Sequence, residues 1–401
     1  MQHVFNNSIP KNLQLLQEKI VNLKHQGKIV IQNGDDGYAS APSNIALLKY
    51  WGKEPEQNQI PVNSSLSYTL GGFRSFTKVT AVGHFLPIHT EAKAHFKNSL
   101  TLNNKIEENL ITEKMDHFLK AILFPYGTEI ALDVKSFNNF PTACGIASSA
   151  SGYAALVAAV ADLLQLQIHF SEQELLIWLT EWARLGSGSA TRSAVPNSDA
   201  LFVAWNKTLH KNLAATTTTA IPFHENWKEL QHCVFILDDK AKTISSSNGH
   251  RYASTSPLQA VRVAGIPFKL KLIEKALIDF DFNSVAYLTE DDALAMHAVM
   301  QTGIPPACYL THEVGMVIAE FIKLRNHTQS QAFWTLDAGS NIHILFLPSA
   351  IPMLKEFHHL LNTNLNKNIP ILVNASHNGL SIGKEAFDSL SNLKTLKGNL
   401  G

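Results

Sequence analysis

The sequence predicts an α+β protein, and three observations carry that reading. Residues 64–70, 75–82 and 129–134 are β-branched or alternate apolar with polar side chains, the pattern of half-buried strands. Residues 147–166 are rich in small side chains and apolar on nearly every side, as expected of a helix buried at a domain centre. Helical spacing dominates residues 257–324, after which two apolar runs, 332–336 and 342–347, bracket Asp337-Ala338-Gly339-Ser340.

In chain order, residues 12–23 place Leu13, Leu15, Leu16, Ile20, Val21 and Leu23 at mostly helical spacing after Pro10, and Asn33-Gly34-Asp35-Asp36-Gly37 follows as a loop. Residues 1–35 are thus expected to form a helical extension ahead of the domain proper, with a short strand at 28–32. A helix at 116–123 precedes the third of the strands named above. A further helix at 172–184 enters through Ser171, which with Glu174 matches a capping box. The Thr/Pro-rich stretch 216–222 suggests a boundary between an amino-terminal domain, 36–220, and a carboxy-terminal domain, 221–401. The second half then reads as a strand at 232–237, helices at 257–279, 282–288, 291–301, 308–324 and 353–362, and a last strand at 369–373.

Thirty-three basic and 33 acidic side chains cancel, and no stretch forms a basic block, so a nucleic-acid partner is not expected. Charged residues are 16 % of the chain and apolar residues 45 %, enough to build a buried core. Cys144, Cys233 and Cys308 lie far apart, which excludes a disulfide framework or zinc-finger spacing. Charges throughout residues 1–28 leave no signal-peptide core, and the apolar run 153–166 is interrupted by Asp162. That run is shorter than the roughly 20 residues of a membrane helix. A cytoplasmic protein without a membrane partner is expected.

Four segments hold the residue types that chemistry needs. Residues 141–152, Pro-Thr-Ala-Cys-Gly-Ile-Ala-Ser-Ser-Ala-Ser-Gly, put small residues at the entry to the long helix, where unpaired N–H groups can receive an anion. The same composition also suits a closely packed helix entry. Gly27-Lys28, Gly52-Lys53 and Gly383-Lys384 lack the following Ser or Thr of a Walker A loop, and no GxGxxG occurs. Residues 185–193 set Arg192 among hydroxyls, suiting either a carboxylate or phosphate ligand or a solvated loop. Asp337, fixed between two apolar runs, could take a proton from a hydroxyl or simply shape a hairpin. Lys49, Tyr50, Trp51 and Lys53 crowd two cations and two aromatic rings into five positions. Neither His224-Glu225 nor His312-Glu313 extends to HExxH.

Taken together and in this order, APSNIALLKYWGK with IPVNSSLSYTL, NNFPTACGIASSASGYAALVAA, RLGSGSATRS and TLDAGSN resemble the mevalonate diphosphate decarboxylases. These enzymes are a branch of the GHMP superfamily of small-molecule kinases. The resemblance implies a two-domain GHMP-kinase-type fold with a left-handed βαβ unit and a central ATP/substrate cleft. It implies ATP- and Mg²⁺-dependent conversion of mevalonate 5-diphosphate to isopentenyl diphosphate, ADP, phosphate and carbon dioxide, in a homodimer. Asp337, Arg192, Lys49 and Ser247 are the implied catalytic residues. Tyr50, Lys53, Ser187, Gly188, Ser189 and Arg192 are implied to bind substrate. Gly145, Ile146, Ala147, Ser148 and Ser149 are implied to cradle ATP phosphates, with Ser148 also a ligand of the metal ion.

The sequence departs from the family pattern at Cys144, Ser247, His250 and Ser340, where alanine, threonine, methionine and proline are usual. Within the same chemistry, a 5-phosphomevalonate decarboxylase or a 3-kinase that stops after phosphorylation stays open. A non-catalytic metabolite-binding relative would be expected to lose Asp337 or its partner cations, and all are present.

Overall fold

The computed structural model describes residues 9–54, 59–83, 98–103, 105–106, 110–126, 130–141, 146–196, 200–208, 216–238, 246–374 and 377–391. The chain opens with α1 (Lys11–His25), then β1 (Asp36–Leu48), β2 (Ser65–Val82), β3 (Ser99–Leu102), β4 (Lys105–Ile106), α2 (Leu110–Leu123) and β5 (Ala131–Asn138). Next come α3 (Ser148–Leu163), the single turn α4 (Leu166–His169), α5 (Glu172–Gly186), the single turn α6 (Ala190–Ser193), β6 (Phe202–Lys207) and β7 (Thr216–Ala220). The rest comprises β8 (Gln231–Phe235), α7 (Ser246–Tyr252), α8 (Gln259–Asp279), α9 (Phe282–Gln301), α10 (His312–Thr328) and β9 (Ala332–Thr335). It closes with β10 (Ile342–Phe346), α11 (Ile351–Leu365), β11 (Ile371–Asn374), β12 (Ser381–Ile382) and α12 (Lys384–Ser391).

Two sheets result. The first runs β12-β1-β2-β5-β3-β4, with β6 added on β2 and β7 on β6; the second runs β11-β8-β10-β9. Among these pairs β3 and β5 are parallel and the others antiparallel. The 18-residue β2 serves three neighbours, pairing β1 on one edge and, on the other, β6 through Ser65–Tyr68 and β5 through Ser75–Val82. It was expected as two separate strands; Gly71 and Gly72 lower the local β-propensity without ending the strand.

β1 is the pivot of the molecule and was not expected as a strand. Its sequence, DGYASAPSNIALL, is poor in β-formers, but it is buried almost throughout. Pro42, which cannot donate to a ladder, sits at a register shift between Pro42 and Ser43. Ala39 and Ala41 pack into one cluster with α3, whereas Ile45, Leu47 and Leu48 pack into a second with Ile273, Leu277 and Val285 from α8 and α9. Strand and helix approach so closely that a Cβ on Gly37 would lie 2.1 Å from the Ala159 carbonyl oxygen. The alanine-rich sequence of α3 is what permits that approach.

Other expectations differ for identifiable reasons. Residues 28–32 form no strand: Ile29 and Ile31 are buried, but their backbone pairs with no neighbouring strand. Thr216–Ala220, read as a connecting stretch, is edge strand β7, as a β-branched run favours. The two helices expected at 282–288 and 291–301 are one, α9: of the polar residues between them, Thr289 is buried and Glu290 pairs with Arg325 at 2.5 Å. The amino-terminal helix buries Leu13, Leu16 and Ile20 in the α3 cluster, and Lys19 meets Glu174 on α5 at 2.8 Å. The Ser171–Glu174 capping box forms as expected. Among the described residues, no helix is long and apolar enough to cross a membrane.

Candidate active site

Where β1 runs out at Leu48, the next residue is held by its backbone from both sides. The Lys49 N–H donates to Asp292 Oδ2 at 2.7 Å, and its carbonyl accepts from Arg262 Nη2 at 2.8 Å and Asn63 Nδ2 at 2.9 Å. Arg262 and Asp292, on α8 and α9, are themselves paired at 2.8 Å and buried. Lys49 therefore has one direction to take, and its Nζ meets Asp337 Oδ1 at 2.8 Å. The lysine side chain is 1 % exposed and the aspartate 29 %, so the carboxylate, not the cation, opens to the cleft. Burial pulls the Lys49 pKa below its ordinary value, and the Asp337 charge opposes that pull.

Arg192, on the one-turn helix α6, is 4 % exposed and faces the same carboxylate. Its Nη1 donates to Ser65 Oγ at 2.7 Å, while Nη2 and Nε reach Asn44 Oδ1 at 3.3 and 3.4 Å. Asn44 is fixed in turn by donating to Ser193 Oγ at 2.7 Å. These partners are neutral, so the guanidinium is oriented without being neutralised. Burial lowers its pKa to about 10, with Asp337 pulling the other way.

The cleft has a volume of about 280 Å³ and is lined by Lys49, Tyr50, Lys53, Ser187, Arg192 and Asp337 among others. Gly188 lies flat against Tyr50: a Cβ there would sit 2.6 Å from the phenol oxygen. This close approach explains the glycine between Ser187 and Ser189, both partly exposed. Tyr50 Oη is buried without a hydrogen-bond partner, an unsatisfied donor at the cleft wall. Burial raises its pKa, so the hydroxyl stays protonated. Lys53 is half-buried, and desolvation together with the charges of Lys114 and Arg251 lowers its pKa to about 8. No carboxylate pairs with Lys53 among the described residues.

At the other side of the cleft α3 begins. Its N-cap, Ala147, is left-handed at φ 36°, ψ 47°, a costly conformation for a residue with a Cβ, and no side chain caps the helix. Ala147 and Ser149 line the cleft, with Ser148 half-buried between them; Ser149 Oγ lies 3.4 Å from Ser187 Oγ. Ile146 is buried in the core, and its carbonyl accepts from Ser43 Oγ at 2.7 Å. Gly145 and the side chain of Ser247 lie outside the described residues. Uncapped N–H groups beside serine hydroxyls fit phosphate oxygens. Among the described residues no three His, Cys, Asp or Glu side chains cluster as a metal site. A hydroxyl plus phosphate oxygens is the donor set left for a cation, and it is one that Mg²⁺ accepts.

Tertiary structure adds residues the sequence did not single out: Asn44 and Ser65 beneath Arg192, Asp292 and Arg262 behind Lys49, and Lys114 near Lys53. Asn44 and Ser65 stood inside the quoted APSNIALLKYWGK and IPVNSSLSYTL segments. The others carry no local signal, since their partners are more than 100 residues away or become neighbours only through packing.

Residues 41–220 match the model of the diphosphomevalonate decarboxylase-like N-terminal domain, and residues 232–394 that of the mevalonate 5-diphosphate decarboxylase C-terminal domain. The diphosphomevalonate decarboxylase of Candida albicans is 35 % identical over 321 residues, 77 % of this chain and 83 % of the relative. The chain belongs to the diphosphomevalonate decarboxylase family. The human enzyme of that name is 30 % identical over 330 residues, 78 % of this chain and 77 % of that one. Among solved structures, mevalonate diphosphate decarboxylase from Staphylococcus aureus superposes with a TM-score of 0.74 at 28 % identity, covering 87 % of this chain and 98 % of the other. MDDEF, solved in complex with MVAPP, AMPPCP and magnesium, gives a TM-score of 0.73 at 29 % identity, covering 87 % and 99 %. The family thus shares this α+β architecture.

Proposed function

We propose that this chain catalyses the ATP-dependent decarboxylation of mevalonate 5-diphosphate to isopentenyl diphosphate, ADP, phosphate and carbon dioxide. The observation that carries the reading is the placement of Asp337, Lys49 and Arg192 at one end of a cleft whose other walls supply Tyr50, Lys53 and the Ser187–Ser189 loop. An acid flanked by two buried cations suits a substrate that brings both a hydroxyl to deprotonate and a carboxylate to lose.

In this reading Asp337 orients the tertiary 3-hydroxyl and accepts its proton. Lys49 holds the Asp337 carboxylate in place and stands beside the phosphoryl group in transfer. Arg192 holds the substrate carboxylate so that the carbon to be lost is fixed relative to C3. ATP with Mg²⁺ supplies the phosphoryl group that turns the hydroxyl into a leaving group and neutralises its charge. When the C3–O bond breaks with departure of phosphate, the electrons of the C–CO₂⁻ bond become the new double bond. Tyr50, Lys53, Ser187, Gly188 and Ser189 take the diphosphate. The backbone of 145–149 would hold the ATP phosphates, and Ser148 would offer its hydroxyl to the metal ion; Ser247 would add a further hydroxyl. We extend the proposal to a homodimer of two-domain subunits divided near residue 220.

The test is stoichiometry. Purified protein with ATP and Mg²⁺ is offered mevalonate, its 5-phosphate and its 5-diphosphate separately, with ADP and carbon dioxide measured together. One carbon dioxide per ADP from the diphosphate alone is expected. Equal turnover of the 5-phosphate would make the enzyme a phosphomevalonate decarboxylase, and ADP without carbon dioxide a 3-kinase.

A further inference from the structure

His250 lies in the wall of the cleft and has no part in the chemistry above, although its surroundings are those of a built recognition group. It belongs to α7, and its ring sits between those of Tyr50 and Trp51, with centroids at 4.3 and 4.6 Å. The Gly52 N–H donates to its Nδ1 at 3.0 Å. A neutral imidazole that accepts at Nδ1 must carry its proton at Nε2. Gly52 is at φ +97°, and a Cβ on the neighbouring Gly249 would lie 2.6 Å from the Trp51 ring, so both backbones close on this stack. The ring is thus fixed in tautomer, in plane and in position, while His250 is 9 % exposed and lines the cleft beside Tyr50 and Lys53.

Among the described residues, the charged groups that act on it share one sign. Burial first, and then Lys53, Arg192 and Arg262, hold the His250 pKa well below its ordinary value. The imidazole is therefore a neutral donor and does not add to the positive charge of the site.

We propose that His250 is a specificity-determining residue, its Nε2–H donating a hydrogen bond to the phosphate end of the bound substrate next to Tyr50 and Lys53. This rests on the reading of the cleft given above. A phosphate oxygen is the ligand chemistry that suits it: an uncharged N–H adds direction where lysine adds charge. A hydrogen bond to a charged group is worth about tenfold or more in affinity.

Two substitutions separate the two ring nitrogens. His250→Asn places an acceptor near Nδ1 and removes the donor at Nε2; His250→Gln restores a donor near Nε2 and loses the Nδ1 acceptor. Affinity for mevalonate 5-diphosphate without ATP is measured by calorimetry, alongside KM, kcat and thermal melting. The expected result is a dissociation constant and KM raised about tenfold or more in His250→Asn, with kcat within about threefold of wild type and most of the affinity kept in His250→Gln. If His250→Asn binds as wild type does, or if both variants lose affinity equally, the ring only holds the Tyr50–Lys53 loop and the proposal is overturned. Failure of the wild-type protein itself to bind or turn over the diphosphate would instead overturn the reading of the cleft.

Discussion

The two ends of the cleft treat positive charge in opposite ways. At the Asp337 end every cation is tied down: Lys49 is paired at 2.8 Å, its backbone is clamped by Asp292 and Arg262, and Arg192 rests on Ser65 and Asn44. At the Lys53 end the neighbours are Lys114 and Arg251, which lower the Lys53 pKa to about 8 along with burial. The first arrangement fixes geometry before any ligand arrives, as a reaction centre requires. The second leaves like charges facing one another until an anion relieves them, as a binding site requires. One β-strand terminus, Lys49 to Lys53, supplies a cation to each.

Breaking the reaction end is expected to have the largest effect. Asp337→Asn keeps the shape but removes the base, and a fall in kcat of roughly 10²–10⁴ is expected, read from ADP release and carbon dioxide together. The binding end predicts a different loss and a pH signature. Lys53→Met is expected to raise KM about tenfold or more with kcat nearly unchanged. In the wild type kcat/KM should fall above pH about 8 as Lys53 loses its proton, and that limb should be absent in Lys53→Met. The same lowered pKa makes the unfolded chain hold more protons than the folded one between pH about 8 and the ordinary lysine value of 10.5. This residue's contribution to the stability of the unliganded protein therefore rises with pH across that window, which melting curves of wild type and Lys53→Met would compare. The smallest effect belongs to a charge pair outside the cleft. Lys19→Ala removes the partly exposed pair with Glu174 and is expected to cost under about 1 kcal/mol in melting experiments, with kcat and KM unmoved.

What the sequence revealed and what it hid divide along physical lines. Asp337, Lys49, Arg192 and the serine loops stood out because chemistry needs particular side chains in short, ordered segments. The strand that leads into Lys49 and Lys53 did not, because DGYASAPSNIALL is shaped by the helix packed on it and not by its own propensity. Asp292 fell inside an expected helix without being singled out, because its partner Arg262 lies 30 residues away and meets it only through packing. The long helix α3 was legible because its alanines are packing and periodicity at once. His250 was visible only as a departure from pattern; its fixed tautomer required the three-dimensional contact with Gly52.

The division of labour between the two ends is tested most directly by titrating mevalonate 5-diphosphate calorimetrically into Asp337→Asn and Lys53→Met and setting each dissociation constant beside its kcat. Asp337→Asn should bind within about threefold of wild type while barely turning over, and Lys53→Met should bind about tenfold more weakly while turning over at near the wild-type rate when saturated. Lost binding in Asp337→Asn with intact binding in Lys53→Met would reverse the assignment of the two ends.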